Sequence, residues 1–100
     1  MVTETTLENY LRDTCKEAGI IYWKLKLVGR RGFPDRFLAK AGVIVFMELK
    51  HPDGTGRLSK AQGRIARIMR AAGLHVYVIN SVTEFESIRM KYWGDDAQRK

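Results

Sequence analysis

Cysteine, histidine and proline are scarce in this 100-residue chain, which contains one, two and two of them respectively. The single cysteine, Cys15, has no partner for a disulfide within the chain, so we expect a reducing compartment such as the cytoplasm. A structural zinc site usually takes four nitrogen or sulfur ligands, which this composition does not favour. No apolar run approaches the ~20 residues of a membrane helix. Residues 1–5 lack the apolar segment of a secretory signal, so we expect no membrane association.

Acidic residues are also in the minority, with 11 against 18 lysines and arginines and a net charge of +7. Nucleic acid is the most common partner for such an excess, although a basic surface kept for solubility explains the charge alone equally well. The cations flank two acids, Asp35 and Glu48, and this grouping suits an approaching phosphodiester backbone. No base-reading motif is present, so we expect recognition of shape rather than of sequence. The grouped cations are Lys24, Lys26, Arg30, Arg31 and Arg36, followed by Arg57, Lys60, Arg64, Arg67 and Arg70.

The hydrophobic pattern predicts a single α/β domain over residues 1–93, with a polar tail over 94–100. The predicted elements are a helix ending at Gly19, strands over 20–28, 35–39 and 43–49, a helix from Ser59 to about Gly73, a strand over 75–79 and a last helix. The strand over 43–49 is apolar throughout, which predicts a central strand covered on both faces. A helix connects it to the strand over 75–79, which favours parallel pairing. The result is an α-β-β-β-α-β-α mixed sheet flanked by helices.

The most informative polar residues lie at the ends of two strands. The apolar strand finishes in Glu48-Leu49-Lys50, and because alternate strand residues share a face, Glu48 and Lys50 point the same way. Asp35 follows Gly32-Phe33-Pro34 and opens the preceding strand. A strand-end ion pair and a turn aspartate are the plain alternatives. Two adjacent carboxylates raise each other's pKa unless a cation is present, so their convergence predicts a site for a hard divalent metal.

Two further candidates, Glu8 and Gln62, each have a simpler structural explanation. Glu8 lies at the edge of the first helix's apolar stripe and could add a third carboxylate, but Thr5-x-x-Glu8 also fits a capping box. Glu4, one turn earlier, is a rival for the same role. Gln62 could bond a metal-bound water or a phosphate oxygen, but Ser59-x-x-Gln62 also fits a capping box.

The aromatic pair Tyr22-Trp23 could stack on bases, but an aromatic pair in a strand is more often core. We therefore predict that both side chains are buried. The helix after Ser59 is predicted to turn its apolar positions inward. These positions are Ala61, Ile65, Ile68, Met69 and Ala72.

Taken together, these residues resemble the virus-type replication-repair nuclease (VRR-NUC) family of the PD-(D/E)xK nuclease superfamily. The matching residues are Glu8, Arg31-Gly32-Phe33-Pro34-Asp35, Glu48-Leu49-Lys50 and Leu58-Ser59-Lys60-Ala61-Gln62. The resemblance implies a restriction-endonuclease-like fold and a metal-dependent endonuclease acting on DNA. It also implies Mg²⁺ or Mn²⁺ held by Asp35, Glu48 and the Leu49 carbonyl, with Glu8 as a direct or water-mediated ligand. Lys50 would then position the attacking water, and Gln62 would help to orient it.

Compact members of this family are associated with phages and with dimers that cut branched DNA such as Holliday junctions. We accordingly expect a homodimer, because one site cuts one strand and a twofold dimer supplies two symmetric cuts. We expect DNA, and no small molecule, as the substrate. The alternative is a non-catalytic basic α/β domain that binds nucleic acid, with Glu48 and Lys50 as a structural pair.

Overall fold

The computed structural model describes residues 3–51 and 58–94, apart from the side chain of Glu4. Within these ranges the predicted α-β-β-β-α-β-α order is confirmed. The elements are α1 (Glu4–Ala18), β1 (Ile21–Lys24), β2 (Arg36–Lys40), β3 (Val43–Leu49), α2 (Lys60–Ala71), β4 (His75–Ile79) and α3 (Val82–Trp93). Arg57 and the predicted tail after Gly94 lie outside the described residues. No helix in the described ranges has the length and hydropathy to span a bilayer.

The four strands form one mixed sheet in the order β1-β2-β3-β4. The β1–β2 and β2–β3 pairs are antiparallel, and β3–β4 is parallel, as predicted from the connecting helix. The β2–β3 turn is only two residues long, and both Ala41 (φ 54°) and Gly42 (φ 80°) have left-handed backbone. This conformation matches the twist of an antiparallel hairpin and fixes the register of the two inner strands.

Helices cover the two faces of the sheet unequally. On one face, α1 and α3 enclose the main core, which includes Leu7, Leu11, Leu38, Met47 and Phe85, all buried. On the other face, α2 packs a smaller cluster against the β3–β4 half of the sheet. That cluster consists of Ile65, Ala66, Met69 and Val76, with Phe33 and Phe46 at its margin.

Three predictions about the edge of the sheet and the second helix are wrong. Strand β1 ends at Lys24 rather than at Val28 because, beyond the bond from Leu25 N–H to the Asp35 carbonyl, the chain leaves the sheet in a loop. Trp23 is 59% exposed, since β1 is an edge strand and α2 lies over β3 and β4. Two positions predicted to face inward from the second helix are exposed as well: Ile68 lies on the flank of α2 opposite Arg70, and Ala72 is its C-cap. Tyr22, on the opposite face of β1, packs against the main core as predicted.

Candidate active site at the sheet edge

Asp35 and Glu48 meet at one end of the two inner strands, β2 and β3. This edge of the sheet, formed by strand ends, is distinct from the edge strand β1. Arg36 pairs with Met47 across β2 and β3, so Asp35 lies opposite Glu48, one step further towards the edge. The main-chain N–H of Leu49 donates to Oδ1 of Asp35 over 3.4 Å. Strand alternation turns both carboxylates to the face that carries α2. The two acids that are 13 positions apart in sequence are therefore cross-strand neighbours.

Glu48 has an unusual electrostatic environment for a carboxylate. The residue is only 8% exposed. Burial, and next the negative charge of Asp35, raise its pKa to about 7. Three smaller effects lower the pKa without offsetting this rise. They are the charge of Lys50, a hydrogen bond with the Asp35 main chain and the charge of Arg36. A bound cation would favour the ionised form of the pair.

Lys50 and Gln62 complete a hydrogen-bonded group around Glu48. Gln62 Nε2 donates to Glu48 Oε2 over 3.0 Å, and Lys50 Nζ donates to Gln62 Oε1 over 3.0 Å. Lys50 Nζ also lies 3.8 Å from Glu48 Oε2. The capping box predicted for Ser59 and Gln62 is present as well. Gln62 therefore begins α2 and at the same time ties that helix to the strand that carries Glu48.

The segment before Asp35 is held against the start of α2 by close backbone packing. A Cβ on Gly32 would lie 2.5 Å from the Ala61 carbonyl carbon and oxygen, and the φ of Gly32 is +85°. Only glycine fits both requirements. The ring of Phe33 packs edge-on against Phe46, with centroids 5.6 Å apart, and Pro34 is buried. This packing delivers Asp35 to the sheet edge in a fixed position.

Glu8 reaches the same edge from the opposite face of the sheet. The N-cap of α1 is Thr3, whose side chain accepts from Thr6 N–H, so the alternative explanation of Glu8 by a Thr5–Glu8 capping box is wrong. The Glu8 carboxylate instead forms ion pairs with Arg36 and, over 3.3 Å, with Lys24. Burial acts to raise the pKa of Glu8, but these two cations outweigh it and lower the pKa. The rival candidate, Glu4, has a side chain outside the described residues.

Arg36 links Glu8 and Asp35. The sequence pattern groups it only with the cations of the basic surface. It is buried, donates to Tyr22 Oη over 2.9 Å and to the Asp35 carbonyl over 3.1 Å, and its Nη1 lies 3.2 Å from Asp35 Oδ2. It also pairs with Glu8. Alternation with Leu38 places Arg36 on the core face of β2, and this was the signal available in the sequence.

The Asp35–Glu48 donor set fits a hard divalent cation, because both residues offer carboxylate oxygens and the burial of Glu48 disfavours its charge in the absence of a cation. Within residues 3–51 and 58–94, no group of three or more His, Cys, Asp or Glu is arranged to hold a metal. Participation of Glu8 and of the Leu49 carbonyl thus stays a prediction. An open cleft of about 460 Å³ lies beside Asp35 and Arg36, and its remaining lining residues are Glu8, Lys24, Leu25 and Lys26.

Known proteins are similar to this chain, although no protein-family model matches it. "Putative nuclease p44" of Acyrthosiphon pisum secondary endosymbiont phage 1 is 38% identical over 53 residues. The match covers 52% of this chain and 57% of the phage protein, so it spans little more than half of that relative. A solved structure named "VRR_NUC domain" superposes with a TM-score of 0.77 at 26% identity, covering 90% of this chain and 96% of the other.

The fold and these comparisons define a nuclease-type α/β domain. The structural match and the phage relative confirm the resemblance to VRR-NUC domains that the sequence indicated.

Proposed function

We propose that this protein is a divalent-metal-dependent endonuclease that hydrolyses DNA phosphodiester bonds and prefers branched DNA. The observation that carries the proposal is the convergence of Asp35 and Glu48 at an edge where Lys50 and Gln62 also meet. The phage relative, whose name describes a nuclease, supports the same activity. A free, buried Cys15 is compatible with action in the reducing cytoplasm of a bacterial host.

Asp35, Glu48 and the Leu49 carbonyl would hold Mg²⁺ or Mn²⁺. We place Glu8 at the metal through a water, because its carboxylate is already engaged by Arg36 and Lys24. The metal supplies a water of lowered pKa and neutralises charge on the phosphate.

Lys50 and Gln62 have separate tasks in this proposal. The Lys50 ammonium, held beside Glu48 by Gln62, orients the attacking water and stabilises the negative charge that develops on the phosphoryl oxygens. Gln62 fixes the positions of both neighbours, since its amide donates to one and accepts from the other. The three side chains thus form one preorganised unit.

The charge distribution supports a polyanionic substrate. Residues 54–83 contain no aspartate or glutamate. Helix α2, whose first turn contacts Glu48 through Gln62, exposes Lys60, Arg64 and Arg67. Phosphates approaching this helix would be led towards Asp35 and Glu48. Branched DNA cut by two symmetric incisions requires two such sites, so we propose that the active form is a homodimer.

A second candidate function is nucleic-acid binding without catalysis. Glu48, Gln62 and Lys50 satisfy one another by hydrogen bonds in this structure, as a purely structural group would. The cationic surface would then account for the affinity alone.

A cleavage assay separates these two functions. Wild type, Glu48→Gln and the control Glu17→Gln, which changes an exposed residue of α1, are incubated with four-way junctions, flaps, linear duplexes and plasmid. Each reaction is run with Mg²⁺, Mn²⁺ or EDTA. We expect metal-dependent cutting that is strongest on junctions and falls on the order of 10³-fold in Glu48→Gln but not in Glu17→Gln. Binding by folded wild type without any cutting would instead establish the second function.

A further inference from the structure

Among the described residues, no helix covers β1 and β2 on the sheet face that carries the acidic pair, and an exposed tryptophan lies there. Trp23 is 59% exposed and stacks on Phe37 across the β1–β2 pair, with ring centroids 5.5 Å apart and planes at 16°. Ile21 and Ile44 lie beside it on the same face and are also exposed. Phe37 in turn packs edge-on against Phe46. The Phe37 ring lies beside the indole and covers one of its two faces, while 59% of Trp23 stays exposed.

This tryptophan is close to the proposed cleavage site. Trp23 pairs with Phe37, and Asp35 precedes Phe37 by two residues on the same face of the sheet. Two residues along a strand and one strand across correspond to roughly 8 Å between the positions of Trp23 and Asp35. A ligand bound at the acidic pair would extend over the indole.

The charge around this open face identifies the kind of ligand. Ile68 lies on the flank of α2 opposite Arg70, which donates to the Val76 carbonyl of β4, and Arg64, one turn before Ile68, lies between that flank and the outer surface. Arg64 is exposed, and α2 carries no acidic residue. An aromatic surface with an exposed arginine at its border suits a polyanion with aromatic groups of its own. Nucleic acid has both properties.

We propose that Trp23 is a stacking platform for one unpaired DNA base next to the scissile phosphate, an inference that rests on the proposed nuclease function. A base within a duplex is stacked on both sides and cannot offer a face to the indole. At a branch point a base can be displaced from its stack and lie on Trp23. The platform would thus favour cleavage where a nucleotide is unpaired, and it would do so without reading sequence.

The binding test uses EDTA, so that no cleavage occurs, and the intrinsic fluorescence of the protein. The chain has two tryptophans, and the other one, Trp93, is 3% exposed. The DNA probes are a branched oligonucleotide with one unpaired thymine at the branch, the same oligonucleotide with an abasic site there, and the fully paired duplex. We expect the thymine probe to quench the Trp23 emission, and the other two to quench it weakly.

Affinity measurements on variants provide the second readout. Trp23→Ala should bind the thymine probe about ten-fold more weakly and the abasic probe unchanged, while Trp23→Phe should retain most of the affinity. Ile44→Ala is the matched control, because it removes exposed apolar surface from the same face without removing an aromatic ring. Circular dichroism melts confirm that each variant is folded.

Equal quenching by all three probes, or an equal loss of affinity for the thymine and abasic probes in Trp23→Ala, would overturn the platform. A wild-type dimer that becomes a monomer in Trp23→Ala, with no base dependence of binding, would also overturn it and assign the face to a second copy of the chain. Failure of the nuclease function gives a different result, namely base-dependent quenching without cleavage of any DNA in Mg²⁺.

Discussion

Two glutamates at one edge of the sheet, Glu8 and Glu48, lie on opposite faces and have opposite electrostatic environments. Around Glu8, the charges of Arg36 and Lys24 outweigh the effect of burial, and the pKa is lowered. Around Glu48, burial and the neighbouring Asp35 raise the pKa to about 7. The first carboxylate is already neutralised by the protein's own cations. The ionised form of Glu48 would be stabilised by a bound metal cation. Because of this difference, we propose that the metal binds on the α2 face.

The two faces also differ in how they are covered. Helices α1 and α3 close the face of Glu8, whereas α2 covers only part of the face of Glu48. A bulky polyanion can therefore approach the acidic pair from the α2 side, past the exposed cations of that helix and over Trp23. The partial cover of the α2 face and its electrostatics therefore favour the same side, while the open cleft beside Asp35 extends to Glu8.

The largest effect on stability is expected from Gly32→Ala, which forces α2 away from the acidic face. The new Cβ would meet the Ala61 backbone at 2.5 Å, in a residue whose φ is +85°. We expect a loss of about 4 kcal/mol in the free energy of unfolding, from overpacking and left-handed strain together. Urea denaturation measures this loss.

Gly29→Ala is the matched control for that variant. Gly29 has a similar φ of +81°, but a Cβ there would meet no atom of the described part of the chain within 4 Å. Only the backbone strain should remain, at about 1 kcal/mol. Equal losses in the two variants would show that the packing of Gly32 on α2 does not matter.

Arg36→Met tests the opposite face, where it removes the buried cation shared by Glu8 and Asp35. We expect a loss of about 3 kcal/mol, because the ion pairs of the buried guanidinium with Glu8 and Asp35 and its hydrogen bond to Tyr22 are lost together. Lys24→Met removes the other partner of Glu8, whose side chain is 70% exposed, and should cost less than about 1 kcal/mol. Thermal and urea unfolding at neutral pH measure both variants. Similar losses would contradict the distinction between the two cations.

A smaller effect, expected from the raised pKa of Glu48, is a pH dependence of stability in the absence of metal. The folded state favours the protonated form of Glu48, and this preference adds to the free energy of unfolding. The added stability is complete below the ordinary pKa of 4.5 and is lost as the pH rises through about 7. Between pH 5 and pH 8, wild type in EDTA should lose about 2 kcal/mol relative to Glu48→Gln, whose amide does not titrate. Urea unfolding at both pH values measures the difference. A difference that is independent of pH would refute the assignment.

The sequence predicted the fold well because its elements are locally consistent. The apolar strand over Val43–Leu49, the capping signal at Ser59 and the connecting helix determine the central strand, the start of α2 and the parallel pairing. Convergence of Asp35 with Glu48 followed from strand alternation and one hairpin. These features depend on neighbours in sequence or on a single pairing.

The parts that the sequence did not reveal depend on contacts between distant elements. The role of Arg36 requires the register between β2 and α1, 28 positions apart. Exposure of Trp23 depends on which half of the sheet α2 covers, and nothing in the local pattern of β1 indicates that. Both corrections concern how helices lie over the sheet, and that arrangement is a property of the complete core.

Calorimetric titration of Mn²⁺ into wild type, Asp35→Asn, Glu48→Gln and Glu8→Gln tests the central claim most directly. We predict that wild type binds Mn²⁺ at the acidic pair, that Asp35→Asn and Glu48→Gln each abolish this binding, and that Glu8→Gln weakens it by less than about ten-fold, as expected for a contact through water. Unchanged Mn²⁺ binding in both Asp35→Asn and Glu48→Gln would contradict the assignment of the metal to this face of the sheet.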